Sequence, residues 1–147
     1  MDAPTDNFLR RLPVLAGVDE EALRFLSRLA VEERHAAGDV IVREGERGDR
    51  VYFVRSGRVR VLKERTVQLA EFGPGDFFGE MSLVESVVRS ANVVATEPTC
   101  VSTLRGVDFY KLYRHRPDQY GIVMLNIARD LARRLRSLDE NFCHVAH

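Results

Sequence analysis

The spacing of apolar residues changes twice along this chain, and each change predicts a different kind of element. From Asp19 to Ala30, apolar residues recur every three or four positions, which predicts a helix with Asp19 as its N-cap. A shorter helical piece is predicted before it, from Phe8 to Leu15. From residue 38 onwards, glycines alternate with short runs of β-branched and aromatic residues, which is typical of strands in a sandwich or barrel. The predicted strands are Val40–Val42, Val51–Arg55, Val59–Leu62, Val67–Phe72, Ser90–Thr96 and Cys100–Leu104.

The helical spacing returns after the last predicted strand. Val107 to His115 fits one helix that ends before Pro117, because the residue preceding a proline disfavours the helical conformation. Asp118 is then placed to cap a second, longer helix that runs to about Asp139, with apolar residues at intervals of three and four. The order of elements is helix, β-roll, helix and helix, which predicts an α+β fold.

The length of 147 residues fits one domain. The Ser56-Gly57 pair between two predicted strands indicates a hairpin turn. No internal repeat or low-complexity segment interrupts the chain. We divide the domain into an N-terminal helical part (1–32), a β-roll (33–105), C-terminal helices (106–140) and a tail (141–147).

The charges of the chain balance: 22 basic and 22 acidic residues give a formal net charge of zero. Without an overall basic field, binding to nucleic acid or to a membrane surface is not expected. No apolar run approaches the roughly 20 residues needed to span a bilayer. The N-terminus MDAPTDNF also lacks the basic and apolar regions of a signal peptide. These features predict a cytoplasmic protein without a membrane span.

Cysteine and histidine usage does not indicate a metal site or an enzyme. The two cysteines, Cys100 and Cys143, have no CxxC spacing, and Cys100 is expected to pack as a small hydrophobic residue in its strand. The four histidines lack the HxH clustering of a metal-dependent cupin, which is the enzyme alternative for a β-roll. The sequence has no paired carboxylates, GxSxG elbow or Walker loop. We therefore expect neither a cofactor nor enzymatic activity.

Candidate binding chemistry is concentrated in the segment FGEMSLVESVVRSANV, from Phe78 to Val93. Gly79 permits close approach of the backbone to a ligand, because it has no Cβ. The residues after it can turn into a short helix whose free N–H groups point at an anion. Arg89 provides a planar, permanently charged fork for a phosphate, whereas the Glu80 carboxylate suits a hydroxyl donor. A compact ligand that carries both groups suggests a ribose phosphate.

This segment resembles the phosphate-binding cassette of cyclic nucleotide-binding domains, the module of catabolite activator proteins, cAMP-dependent kinase regulatory subunits and cyclic-nucleotide-gated channels. The run GDVIVREGERGDRVYFVRSGRVRV, from Gly38 to Val61, resembles a second signature of the family, with a Gly-Asp turn at Gly48-Asp49. The resemblance covers nearly the whole chain. It implies a β-roll, a jelly-roll-like antiparallel β-barrel, with an N-terminal helix, a short phosphate-binding cassette helix and two C-terminal helices.

The resemblance also implies a ligand, cAMP or cGMP, and roles for particular residues. Glu80, in the FGE triplet, accepts a hydrogen bond from the ribose 2′-hydroxyl, and Arg89, ten residues after Gly79, contacts the exocyclic oxygens of the cyclic phosphate. Ser82 offers its backbone N–H to the phosphate. Ser90 stands where the family carries Ala, Ser or Thr; threonine there is associated with cGMP, so serine favours cAMP. The implied ligand-binding residues are Phe78, Gly79, Glu80, Met81, Ser82, Arg89, Ser90 and Ala91.

The cassette departs from the family pattern just before the arginine. Many members have a glycine and often a proline there, where this chain has Glu85-Ser86-Val87-Val88, and Asn92 replaces the commoner Thr or Ser. The two valines stiffen the approach to Arg89. These changes motivate an alternative hypothesis, a structural or interaction module that keeps the fold without the ligand. It would dimerise or dock on a partner through the last helix, and it would show no ligand-induced rise in melting temperature.

The last helix allows three interpretations. It can pack against the β-roll, cover the base of the ligand as a lid, or form the seam of a homodimer. Arg129, Arg133 and Arg134 are the lid candidates, since arginine stacks well on aromatic rings. Catabolite-activator relatives continue into a helix-turn-helix domain, and no such segment follows His147. We therefore expect a regulatory sensor module with an unknown effector protein, either stand-alone or part of something larger, rather than a DNA-binding regulator.

Overall fold

The computed structural model describes residues 7–64, 66–80 and 87–146, and it begins with a helical segment. In this segment α1 spans Asn7–Arg11, a 3-10 turn spans Pro13–Leu15 and α2 spans Glu20–Leu29. Asp19 caps α2 as predicted, because its Oδ1 accepts a 3.0 Å hydrogen bond from the Ala22 N–H. The predicted helical piece Phe8–Leu15 is interrupted at Leu12, which is extended (φ −68°, ψ 126°) because Pro13 follows it.

The described residues contain ten strands, and the pairings among them are antiparallel. The strands are β1 Val31–His35, β2 Val40–Val42, β3 Arg47–Gly48, β4 Arg50–Ser56, β5 Val59–Lys63, β6 Val67–Phe72, β7 Phe77–Phe78, β8 Val87–Val88, β9 Asn92–Ala95 and β10 Thr99–Arg105. One sheet has the order β1-β10-β4-β7, a second has the order β2-β9-β5-β6, and β3 pairs with β8. The predicted antiparallel β-roll is confirmed; the predicted cassette helix falls on residues 81–86, outside the described residues.

Two features of the β-roll differ from the predictions. Strand β1 has the sequence VEERH, so it lacks the apolar alternation of a half-buried strand, and only its pairing with β10 reveals it. The hairpin predicted at Ser56-Gly57 is wrong, because β4 pairs with β10 and β7 whereas β5 pairs with β6 and β9. The chain crosses from one sheet to the other at this point. Gly57 has φ +88°, and a Cβ there would lie 2.4 Å from the Pro98 carbonyl oxygen, so glycine is required for this crossing.

Two helices follow the sheets. Helix α3 spans Gly106–His115 and α4 spans Pro117–Ala146. Helix α4 starts one residue before the predicted cap Asp118, since proline suits the first helical position, and it extends beyond the predicted end near Asp139. Asp118 instead pairs with Arg116, at 3.5 Å between its Oδ2 and Arg116 Nη2.

The buried apolar residues form two clusters that meet at β7. The helical cluster joins α1, α2, α3 and α4 to one face of the first sheet, and the inner cluster lies between the sheets. Because successive strand residues face opposite sides, Phe77 belongs to the helical cluster and Phe78 to the inner cluster. Fully buried members of the helical cluster include Leu9, Leu26, Phe53, Phe109, Leu112 and Val123, and those of the inner cluster include Val54, Val59 and Val101.

The prediction that Cys100 packs as a small hydrophobic residue is wrong. Its side chain is half-buried, and its Sγ–H donates to Glu32 Oε1 at 3.2 Å. Partial burial raises the pKa of the Cys100 thiol, and the hydrogen bond to Glu32 raises it further. Across the described ranges, no group of three or more His, Cys, Asp or Glu residues is arranged to hold a metal ion. None of the helices described is both long and apolar enough to cross a bilayer.

Candidate ligand-binding cavity

A cavity of about 440 Å³ lies between the second sheet, the Gly79 segment and α4. Its walls are mainly aliphatic and aromatic, and its polar groups are few. A cavity of this size and lining suits a small ligand with an apolar body and a charged group. The apolar lining consists of Val42, Val61, Ala70, Phe72, Phe78, Val88, Ala91 and Val93, and the other lining residues are Gly79, Glu80, Arg89, Ser90 and Arg134.

Arg89 is the buried cation of this cavity, with 9% of its surface exposed. Its Nη2 donates to the Arg50 carbonyl oxygen at 2.9 Å, and its guanidinium carbon lies 6.0 Å from the centre of the Tyr52 ring. Its backbone is held as well, because Arg89 N donates to Glu46 O at 2.7 Å and Gly45 N donates to Arg89 O at 2.9 Å. These contacts order a permanent positive charge before any ligand arrives, which lowers the entropic cost of binding an anion.

Gly79 lies directly against this arginine. Its φ is +81°, a left-handed conformation that glycine adopts without steric cost. A Cβ at this position would lie 2.8 Å from Arg50 O and 3.0 Å from Arg89 Nη1. The sequence FGE therefore places a side-chain-free stretch of backbone beside the guanidinium, where a ligand oxygen can approach both.

The other predicted site residues divide into two groups. Phe78 lines the inner wall, stacked 4.9 Å from the Tyr52 ring at 4° and 6.2 Å from the Phe72 ring at 6°. Glu80, Ser90 and Ala91 also line the cavity, and Ser90 O accepts a 2.8 Å hydrogen bond from Lys63 Nζ. Met81 and Ser82 lie outside the described residues, as do Glu85 and Ser86 of the divergent stretch.

One of the three lid candidates lines the cavity. The Arg134 guanidinium carbon lies 4.8 Å from the centre of the Phe72 ring and 4.5 Å from that of Phe77. Its Nη2 donates to Phe77 O at 3.0 Å, and its Nε lies 2.7 Å from Asp130 Oδ2. Arg129 and Arg133 are exposed on α4 and do not line the cavity.

Sequence reasoning missed two residues beside the buried arginine. Arg50 and Tyr52, on β4, contact Arg89 through a main-chain oxygen and a ring face. The pKa of the Tyr52 phenol is raised mainly by burial. Asp130 holds Arg134 from four residues away on the same helix. The four-residue spacing of Asp130 and Arg134 predicts this pair, and the structure confirms it, whereas nothing local marks Arg50 as a neighbour of residue 89.

A family model for the cyclic nucleotide-binding domain matches residues 32–116 of this chain. The cyclic AMP receptor protein of Thermus thermophilus is 37% identical over 133 residues, which cover 86% of this chain and 59% of that protein. The cGMP-dependent protein kinase isozyme 1 of Drosophila melanogaster is 36% identical over 98 residues, which cover 63% of this chain and 13% of the kinase.

Among solved structures, the catabolite activator protein of Thermus thermophilus superposes with a TM-score of 0.74 at 33% identity. The match covers 91% of this chain and 63% of that one. The match thus covers 13% of the length of one curated relative and 59% of the other.

Proposed function

Because this chain belongs to the cyclic nucleotide-binding domain family, we propose that it is a sensor that binds a cyclic nucleotide in the 440 Å³ cavity, with cAMP favoured over cGMP. The observation that carries the proposal is the buried Arg89 guanidinium beside the side-chain-free backbone of Gly79. In this proposal Arg89 binds the cyclic phosphate and Glu80 accepts a hydrogen bond from the ribose hydroxyl. The remaining proposed contacts are Phe78, Ser90, Ala91 and, beyond the described residues, Met81 and Ser82.

The aromatic wall of the cavity suits an uncharged, flat group of the ligand, such as a purine base. Phe72 and Phe78 form one wall, and the guanidinium of Arg134 stands over the Phe72 ring. A guanidinium that is already stacked on aromatic rings can extend the same stack over a purine. This arrangement makes Arg134 the proposed lid residue, in preference to Arg129 and Arg133.

The preference for cAMP rests on Ser90 and on the apolar walls. Residue 90 is a serine, whereas the resemblance associates a threonine there with cGMP, and most of the cavity lining is apolar. The two curated relatives carry cyclic AMP and cGMP in their names at nearly equal identity, so they do not favour either ligand. Competition between the two nucleotides tests the preference directly.

Helix α4 supports transmission of the binding event, because it contacts the cavity through Arg134 near its middle and the N-terminal segment at its start. Arg134 joins α4 to β7 through Phe77 O. At the start of α4, Gln119 Oε1 accepts from Asp19 N at 2.8 Å, and Arg116 pairs with Asp19. A ligand can shift the equilibrium between two packings of these helices only if it binds one packing more tightly than the other. We propose that the cyclic nucleotide favours one packing of α3 and α4.

A second property is supported by an exposed apolar stripe on α4, namely dimerisation. Leu125, Ala128, Ala132 and Leu135 are exposed and follow a 3-4-3 spacing, which is the a/d pattern of a two-stranded coiled coil. Leu125 is 52% and Leu135 63% exposed. We propose that a second copy of the chain covers this stripe.

Calorimetric titration with cAMP and with cGMP tests the ligand proposal. A charge-assisted contact of about 1.5–3 kcal/mol predicts that Arg89→Ala weakens binding by about 10- to 200-fold. Arg24→Ala, on the exposed face of α2, is the matched control and should bind like the wild type. If wild-type protein gives neither heat nor a rise in melting temperature with either nucleotide, the sensor proposal is wrong and the interaction-module alternative gains support.

Sedimentation velocity tests the dimer. Leu135→Glu places a charge in the proposed seam and should give a monomer, whereas Arg133→Glu, outside the stripe, should leave the dimer intact. A wild-type protein that sediments as a monomer at micromolar concentration would contradict the dimer proposal without affecting ligand binding.

A further inference from the structure

Gly48 has a role that its backbone conformation does not explain. The Gly48-Asp49 pair reads in sequence as a turn, yet Gly48 lies in β3, where it pairs with Val87 of β8. Six other described glycines have positive φ, and Gly48 is not among them. An alanine would therefore meet no backbone strain here, so the absence of a side chain must serve something else.

The space beside Gly48 is occupied by the Arg89 guanidinium. A Cβ added at Gly48 would lie 1.9 Å from Arg89 Nε and 2.3 Å from both Cζ and Nη2. Real Cβ atoms do not approach heavy atoms this closely, so the arginine would have to leave. The atoms displaced belong to the far end of a side chain, not to the backbone, and the sheets can stay as they are.

We propose that Gly48 is a positioning residue for the anion-binding site: its missing side chain forms a slot that holds the Arg89 guanidinium against Gly79 and Arg50 O. The inference rests on the proposed function, because the slot matters for binding only if Arg89 binds the phosphate. It extends the binding site to a strand that does not itself line the 440 Å³ cavity. Any side chain at residue 48 would then act on ligand affinity through residue 89.

Two other glycines provide matched comparisons. Gly79 has φ +81°, and its Cβ would meet the backbone oxygen of Arg50 at 2.8 Å, so Gly79→Ala is unfavourable whether or not Arg89 is present. Gly121 lies on α4 with no atom within 4 Å of an added Cβ and no positive φ. Gly121→Ala therefore makes the same chemical change as Gly48→Ala but displaces no neighbouring side chain.

A double-mutant cycle without ligand distinguishes a specific clash with Arg89 from a strand that tolerates no side chain at residue 48 for any reason. In the wild-type background, Gly48→Ala should lower the melting temperature by about 3–8 °C, because it displaces Arg89 from its hydrogen bond with Arg50 O. In the Arg89→Ala background the same change should be neutral or raise the melting temperature by about 1–4 °C, as a compatible Gly→Ala does. Gly79→Ala should lower it in both backgrounds. An equal loss from Gly48→Ala in both backgrounds overturns the slot.

Titration with cAMP supplies the functional arm. Gly48→Ala should weaken binding by about 10- to 200-fold, as Arg89→Ala does, and should add less than about 2-fold when combined with it. Gly121→Ala should bind like the wild type. Wild-type affinity in Gly48→Ala would overturn the inference while leaving the proposed function standing. If the wild type binds no cyclic nucleotide, the proposed function fails, and the melting cycle still decides whether Gly48 positions Arg89.

Discussion

Replacing Arg134 with methionine removes its guanidinium but keeps a flexible apolar stem of similar length. The guanidinium stacks on Phe72 and Phe77, donates to Phe77 O and pairs with Asp130. Each cation–π contact contributes about 0.5–1 kcal/mol, the charged hydrogen bond about 1.5 kcal/mol and the i,i+4 pair about 0.3–0.5 kcal/mol. All these contacts are made by one guanidinium, and the Arg134 side chain is 29% exposed to solvent. Their energies therefore do not add fully. We expect a net loss of about 1.5–2.5 kcal/mol.

Urea unfolding followed by circular dichroism measures this loss. With a denaturant slope of about 1–3 kcal/mol per molar, the midpoint should fall by roughly 0.5–2.5 M while the slope stays constant. Arg133→Met, one residue earlier and exposed on α4, is the control and should shift the midpoint by less than about 0.3 M. A midpoint for Arg134→Met equal to that of Arg133→Met would refute the conclusion that Arg134 ties α4 to β7. Arg134→Met should also bind cAMP about 3- to 10-fold more weakly, if the stack extends over the base.

Two further predictions concern the N-terminal cap and the crossing between sheets. The hydrogen bond from the Ala22 N–H, and after it the Arg116 guanidinium, lower the pKa of Asp19 in the folded protein. The ionised Asp19 carboxylate therefore stabilises the fold above its ordinary pKa of about 3.9, and this stability is lost as the pH falls through the lower folded-state pKa. The melting temperature of Asp19→Asn should therefore lie below that of the wild type at pH 7, and the gap should narrow as the pH falls below the ordinary pKa of aspartate. A gap that is independent of pH would contradict this. Gly57→Ala should lower stability by more than about 1 kcal/mol in urea unfolding, because φ is +88° and Pro98 O leaves no room; an unchanged midpoint would show that the crossing can relax.

Some strands could be predicted because their buried positions show in their own residues. Strand β4 was predicted at Val51–Arg55 and spans Arg50–Ser56, and its apolar run from Val51 to Val54 is buried. Strand β1, VEERH, is exposed along most of its length, so its place in the sheet depends on β10, whose partner residues lie more than 60 positions away. The wrong hairpin at Ser56-Gly57 has the same origin. These two residues specify a turn, but the partners of the strands on either side of the turn depend on residues far away in the sequence.

The candidate site shows a similar division between local and distant information. Gly79, Glu80 and Arg89 could be singled out from spacing, because the segment that carries them is contiguous. The choice of Arg134 among three arginines required the rotation of α4 relative to β7, which no local pattern encodes. The slot at Gly48 required the position of a side chain 41 residues further along the chain, since a glycine in a short strand gives no sign of what fills the space beside it.

The two faces of β7 have a consequence for redesign of the cavity toward bulkier, non-natural nucleotide analogues. Phe78 and Phe77 are neighbours in sequence, yet one fills the inner cluster and the other the helical cluster. Shortening Phe78 would enlarge the chamber between Tyr52 and Phe72. It would leave in place the hydrogen bond of Arg134 to Phe77 O and its stack on the Phe77 ring, although Phe72, on which Arg134 also stacks, would lose a neighbour. In the sensor proposed above, the fit of an analogue can therefore be altered while the link from β7 to α4 through Phe77 is kept, which is what a receptor for a synthetic ligand requires.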